Sequence, residues 1–157
     1  MNEGEQVDLE QLRKDVQELK DIEAIKRLRA RYWQLVDAQE WDAWGEEILT
    51  EDFWFHSDAG VHEGRDLVVE TMRQSLTGGK TVHHGHSPQI VITGADTATG
   101  VWPMNDYVTI DTPSGSPYVI RGYGYYHDEY RRTPAGWRLA RCRMERLRVD
   151  TEGEYGV

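Results

Sequence analysis

Cysteine is nearly missing from this chain, which carries Cys142 alone. One thiol excludes an intrachain disulfide and offers neither a CxxC redox pair nor a cysteine-rich metal knuckle, so a reducing compartment, the cytoplasm, is the expected location. Cations are also scarce: 18 Lys and Arg against 28 Asp and Glu leave a net charge of -10. That balance excludes nucleic acid and anionic membrane surfaces as natural partners, because both call for clustered basic side chains. Apolar runs of membrane-spanning length are missing, and the first twenty residues are charged where a secretory leader would be apolar. There is no Gly-rich phosphate loop, dinucleotide fingerprint or nucleophile elbow, which argues against ATP, NAD and serine-hydrolase chemistry. Phenylalanine occurs twice, against six Trp and eight Tyr. Rings with a polar handle suit the wall of a pocket that must meet a ligand's oxygens, and they suit a subunit interface equally.

What the chain does contain is enough for one domain around one core at 157 residues. Met1 to Gln6 is polar and expected to fray. From Val7 onward, Leu9, Leu12, Val16, Leu19, Ile22, Ile25 and Leu28 recur at helical spacing. Asp21 reads as a break or a fresh N-cap, dividing an N-terminal arm (1–20) from a domain (21–150) and a tail (151–157). An arm with a narrow apolar stripe calls for a neighbouring subunit; the alternative is one long helix lying along its own domain. A helix from Ile22 toward Val36, a short one over Glu40–Leu49, a strand Asp52–His56 with a return over Val61–Gly64, and a helix Arg65–Leu76 follow. Four β-like runs complete the chain, Thr81–Ile92, Thr97–Ile110, Tyr118–Arg131 and Trp137–Val149, with turn signals between them. Helices first and a meander afterwards predict an α+β fold with a curved, mixed or antiparallel sheet.

Half of the six histidines fall within Val82-His83-His84-Gly85-His86. Imidazole takes and gives protons near neutrality, so one of these is a candidate base; sheet-edge histidines are the plainer alternative. Strand alternation sends His83 and His84 to opposite faces, and Gly85 is a possible bulge that re-aims His86. Adjacent strand histidines do not easily share one ion, so no metal site is expected. On the last run, parity puts Ala140, Cys142, Met144 and Arg146 on one face, with Arg146 at the pocket rim, and Leu139 on the other. Asp106 reads either as an isomerase-type base or as a polar residue of a sheet face.

The order of elements, with Ile22-Glu23-Ala24-Ile25-Lys26-Arg27-Leu28, Tyr32 five residues before Asp37, Thr81-Val82-His83-His84-Gly85, Gly122 to Tyr130 and Gly136-Trp137-Arg138-Leu139, resembles the SnoaL-like branch of the nuclear transport factor 2-like superfamily. That branch holds dehydratases of the scytalone and bile-acid types and a hexachlorocyclohexane dehydrochlorinase. The resemblance spans Asp21 to about Asp150 and implies a cone-shaped α+β barrel with an apolar ligand in its open end. It implies an Asp37–His83 dyad, with Tyr32 and Arg146 as groups that steady developing negative charge. The wall that would bind substrate is Trp33, Trp54, Phe55, Trp102, Met104, Cys142 and Met144. Two departures stand out: Cys142 occupies the place of an arginine in the dehydrochlorinase, and Trp54 or Phe55 stands where a water-binding tyrosine is found in scytalone dehydratase. The implied function is a cofactor-independent, dehydratase-like lyase for a bulky apolar cyclic substrate of steroid, terpenoid or polyketide type. A ketosteroid-isomerase- or cyclase-like enzyme, a non-catalytic binding protein and an oxygenase partner subunit are the alternatives. A homo-oligomer, trimer or dimer, is expected.

Overall fold

The computed structural model describes residues 8–154, and the Met1–Gln6 and Val7 readings and the end of the tail lie outside them. Helix α1 (Leu9–Asp37) is continuous and is capped by Asp8, whose carboxylate accepts from the Glu10 and Gln11 N–H groups. Asp21 is therefore neither break nor cap. It is buried in mid-helix, where Arg132 Nη2 (2.6 Å), Trp137 Nε1 (3.1 Å) and Gln17 Nε2 (3.1 Å) all donate to it. A carboxylate with that many donors tolerates burial, and here it ties the helix to the far end of the sheet.

Helix α2 (Trp41–Ile48) runs straight into strand β1 (Leu49–Ser57), so the strand begins three residues before the expected Asp52. Strand β2 (Gly60–Glu63), helix α3 (Arg65–Leu76), and strands β3 (Lys80–Gly85), β4 (Gln89–Gly94), β5 (Thr97–Ile110), β6 (Tyr118–Thr133) and β7 (Gly136–Glu152) follow. The single run expected over Thr81–Ile92 is two strands. Pro88, which has no N–H to give a ladder, separates them, and each pairs with a different half of the long β5. The seven strands form one open sheet in the order β2-β1-β7-β6-β5-β3, with β4 also on β5. All pairs are antiparallel except β1 with β7, which makes the sheet mixed.

The three helices cover the concave face. Alternation supplies its lining: along β5, Ala98, Trp102, Met104, Asp106 and Val108 are buried, and along β6 Tyr126, Asp128 and Tyr130. The parity reading of β7 holds from Cys142 to Arg146 and fails before it. Opposite Glu129 and Tyr130 the register skips Ala140, and this bulge returns Leu139, fully buried, to the inside while Ala140 lies half-exposed.

Candidate active site

Asp37 is the last residue of α1, and β3 passes beside it. Because β3 alternates, Thr81 and His83 turn toward the helix while Val82 and His84 turn away. Three donors converge on the Asp37 carboxylate: the Thr81 hydroxyl at 2.8 Å, the His83 N–H at 3.0 Å and the His83 ring at 2.7 Å through Nδ1. Burial pushes this carboxyl up, but the His83 ring, the His83 amide, the His83 charge and Thr81 outweigh it and hold Asp37 below the usual carboxylate range. An ionised Asp37 has no proton to give, so the bond requires Nδ1–H on His83 and leaves Nε2 as the ring nitrogen open to chemistry.

His83 forms part of the wall of a cavity of about 230 Å³. Tyr32 and Val36 of α1, Trp44 of α2 and Met72 of α3 close one side; Phe55, Asp106, Tyr126, Met144 and Arg146 from the sheet close the other. Tyr32 is buried, and burial drives its phenol pKa well up against the pull of nearby Arg29, so its hydroxyl stays a donor at neutral pH. Arg146 and Asp106 form a bidentate pair, Nη1 to Oδ1 at 2.9 Å and Nη2 to Oδ2 at 2.6 Å. Gly122 makes room for them: a Cβ there would lie 1.3 Å from Arg146 Nη1. With both oxygens committed to the guanidinium, Asp106 is the anchor of Arg146 rather than a free base. Trp44 is 1% exposed, and its indole Nε1–H has no acceptor among the described residues.

Of the residues expected at the site, Tyr32, Asp37, His83 and Arg146 therefore meet at one end of the cone. Phe55 and Met144 line the cavity, and the remaining five expected wall residues do not. Trp33 crosses Trp102 edge-on at 5.3 Å and fills the space over Gly85, where a Cβ would sit 1.9 Å from its ring. Gly85 is thus demanded by Trp33 and not by a bulge, since β3 and β5 stay in register through it. Met104 and Trp102 are core. Trp54 lies on the other face of β1, its ring under the Arg141 guanidinium at 5.5 Å. Cys142 is fully buried beside a second charged cluster. There Arg29 Nε stands 3.1 Å from Asp128 Oδ2, Tyr130 donates to Asp128 at 2.6 Å, and Trp102 donates to Tyr130 at 2.9 Å. The Tyr32 and Tyr126 rings cover the guanidinium at 4.2 and 4.3 Å. His84 and His86 face outward around Asn105. Among the described residues no three His, Cys, Asp or Glu side chains converge as a metal site would require.

Tyr126 is a wall residue that the sequence reading does not single out, and the alternation that runs through β6 is the signal that marks it.

The sequence profile of the SnoaL-like domain family matches residues 17–143. Among solved structures, the chain is similar to the LinA-type3 hexachlorocyclohexane dehydrochlorinase of Novosphingobium barchaimii LL02, at 18% identity and a TM-score of 0.72 over 91% of this chain and 98% of that one. It is similar to a Novosphingobium aromaticivorans protein provisionally assigned as a scytalone dehydratase, at 18% identity and a TM-score of 0.75 over 87% and 90%. It is also similar to Rv3472 of Mycobacterium tuberculosis, of unknown function, at 27% identity and a TM-score of 0.65 over 83% and 78%.

Proposed function

This chain belongs to the SnoaL-like domain family, and from that premise we propose that it is a cofactor-independent, dehydratase-like lyase in which Asp37 and His83 remove a proton from an apolar cyclic substrate. The observation that carries the reading is the 2.7 Å Asp37–His83 contact on the wall of the cavity. Asp37 holds the ring and steadies the imidazolium. His83 Nε2 takes a proton from carbon beside a carbonyl, and the same proton leaves with the β-hydroxyl as water. Tyr32, kept protonated by burial, and Arg146, held by Asp106, offset charge that develops on the carbonyl oxygen.

A volume of about 230 Å³ lies below the ~300–1,000 Å³ usual for drug-sized ligands. It encloses the reacting one or two rings of a steroid, terpenoid or polyketide skeleton and leaves the rest at the mouth. The commitment of Asp106 to Arg146 favours His83 over an aspartate base of the ketosteroid-isomerase kind. Among the described residues no helix is long and apolar enough to cross a membrane. With its one thiol buried and free, we assign the protein to the cytoplasm. Exposed Val82, Tyr107 and Tyr123 on the outer sheet face support a homo-oligomer.

The test uses cyclic ketones in D₂O. A ketone without a β leaving group should exchange its α-proton in the presence of the protein, and a β-hydroxy analogue should lose water. Exchange that persists unchanged in His83→Asn overturns the assignment; binding with no exchange in wild type leaves the non-catalytic reading.

A further inference from the structure

Residues 8–20 are exposed on every side, and the first residue of α1 to be buried is Asp21. Yet the sequence of this segment is not uniformly polar. Leu9, Leu12, Val16 and Leu19 recur at steps of three and four, and all are 40% exposed or more. At ~100° per residue this stripe lies nearly opposite Asp21, Ile25, Arg29 and Tyr32, the face by which α1 packs on its own sheet. It therefore does not continue the internal core. It runs instead into the outer surface of the helix, where Val16, Leu19, Glu23, Ala24 and Arg27 border a shallow depression. A second helix laid along the stripe meets no part of this chain's own sheet.

We propose that residues 9–20 pair, in parallel, with the same segment of a second copy of this chain. The spacing is that of a coiled-coil seam, with Leu9 and Val16 at a positions and Leu12 and Leu19 at d. The positions flanking that seam carry Asp8 and Asp15 on the g side and Arg13 and Lys20 on the e side. In a parallel pair each g residue faces the e residue five places on in the partner, so Asp8 meets Arg13 and Asp15 meets Lys20, all opposite in sign. In an antiparallel pair g faces g and e faces e, which sets acid against acid and base against base. Charge thus selects a second copy and its direction together. Arg13 and Lys20 have no ion pair within the chain among the described residues, whereas Lys14, outside the seam, is 2.9 Å from Glu10. The seam ends where Glu23 and Lys26 replace apolar residues, so the helices part there and each stays on its own sheet. A segment this short is a marginal helix alone in water, and a partner supplies the burial it lacks.

Cysteine cross-linking in the full chain tests this, because a and d residues face their own counterparts only in a parallel pair. Cys142 is fully buried and does not compete. Under mild oxidation Leu12→Cys should form a disulfide-linked dimer quickly, while Lys14→Cys, on the outside of the helix, should do so only at the collision rate. Asp15→Lys should weaken association in sedimentation equilibrium, and Asp15→Lys/Lys20→Asp should restore it. All four positions are solvent-facing, so the thermal midpoint should hold and separate lost pairing from lost fold. Equal slow cross-linking of the two cysteine variants, as association through another face would produce, overturns the proposal. A double variant as weak as the single one overturns it too.

Discussion

Two acid–base clusters lie on the same concave face, and they differ in access rather than in composition. Arg29 with Asp128 is 1% and 0% exposed, is roofed by two tyrosine rings, and passes its remaining hydrogen bonds inward to Tyr130 and Trp102. Asp37 with His83 is 26% and 11% exposed, sits at the cavity wall, and has one ring nitrogen uncommitted. Each has a carboxylate supported by several donors. Only the second leaves a titratable atom where a substrate can arrive. In the first, burial pulls the guanidinium's pKa down, but Asp128 beside it more than compensates and Arg29 stays charged. A buried pair of that kind fixes the packing of α1 on β6; neither partner is open to a substrate.

The sharpest way to break this contrast is to remove His83. His83→Asn should lower turnover by ~10²–10⁴-fold while the urea midpoint moves by no more than the loss of one hydrogen bond, about 1 kcal/mol. Arg29→Met should do the reverse. Stranding Asp128 without its partner should cost about 3–5 kcal/mol in urea unfolding, and adding Asp128→Asn should recover part of it.

The smallest effect is in the acid limb. Burial pushes Asp37 and Asp21 up, but the His83 contacts around the one and Arg132 and Trp137 around the other leave both below the ordinary 3.8. A depressed native pKa stabilises the fold fully above the unfolded value and stops doing so as pH falls through the native one. Asp21→Asn and Asp37→Asn should therefore each flatten the loss of stability below about pH 4. Chemical denaturation between pH 6 and 2 would show it.

Helical spacing and strand alternation made most of the elements readable in advance, and Asp37, His83, Tyr32 and Arg146 were named because residue type and order resemble a family pattern. Where reading failed, the failures share a cause. Asp21 looks like a boundary because an acid in an apolar stripe is unfavourable, and its donors, Arg132 and Trp137, lie more than a hundred residues away. Leu139 and Ala140 exchanged faces because a bulge inverts parity. Trp33, Trp54 and Trp102 were grouped as a wall because an indole's letter carries no direction; in the fold one fills the space over Gly85, one lies on the outer face, and one joins the sealed cluster.

By itself the sequence determined the periodicities, the charge balance, the lone thiol and the apolar seam of residues 9–20, because these are properties of neighbours along the chain. Only the tertiary structure decided which acid met which base. Asp37 reaches His83 across 46 residues, Arg29 reaches Asp128 across 99, and Arg146 reaches Asp106 across 40. Such pairs depend on strand register and helix placement, and a shift of one residue would turn each partner to the opposite face.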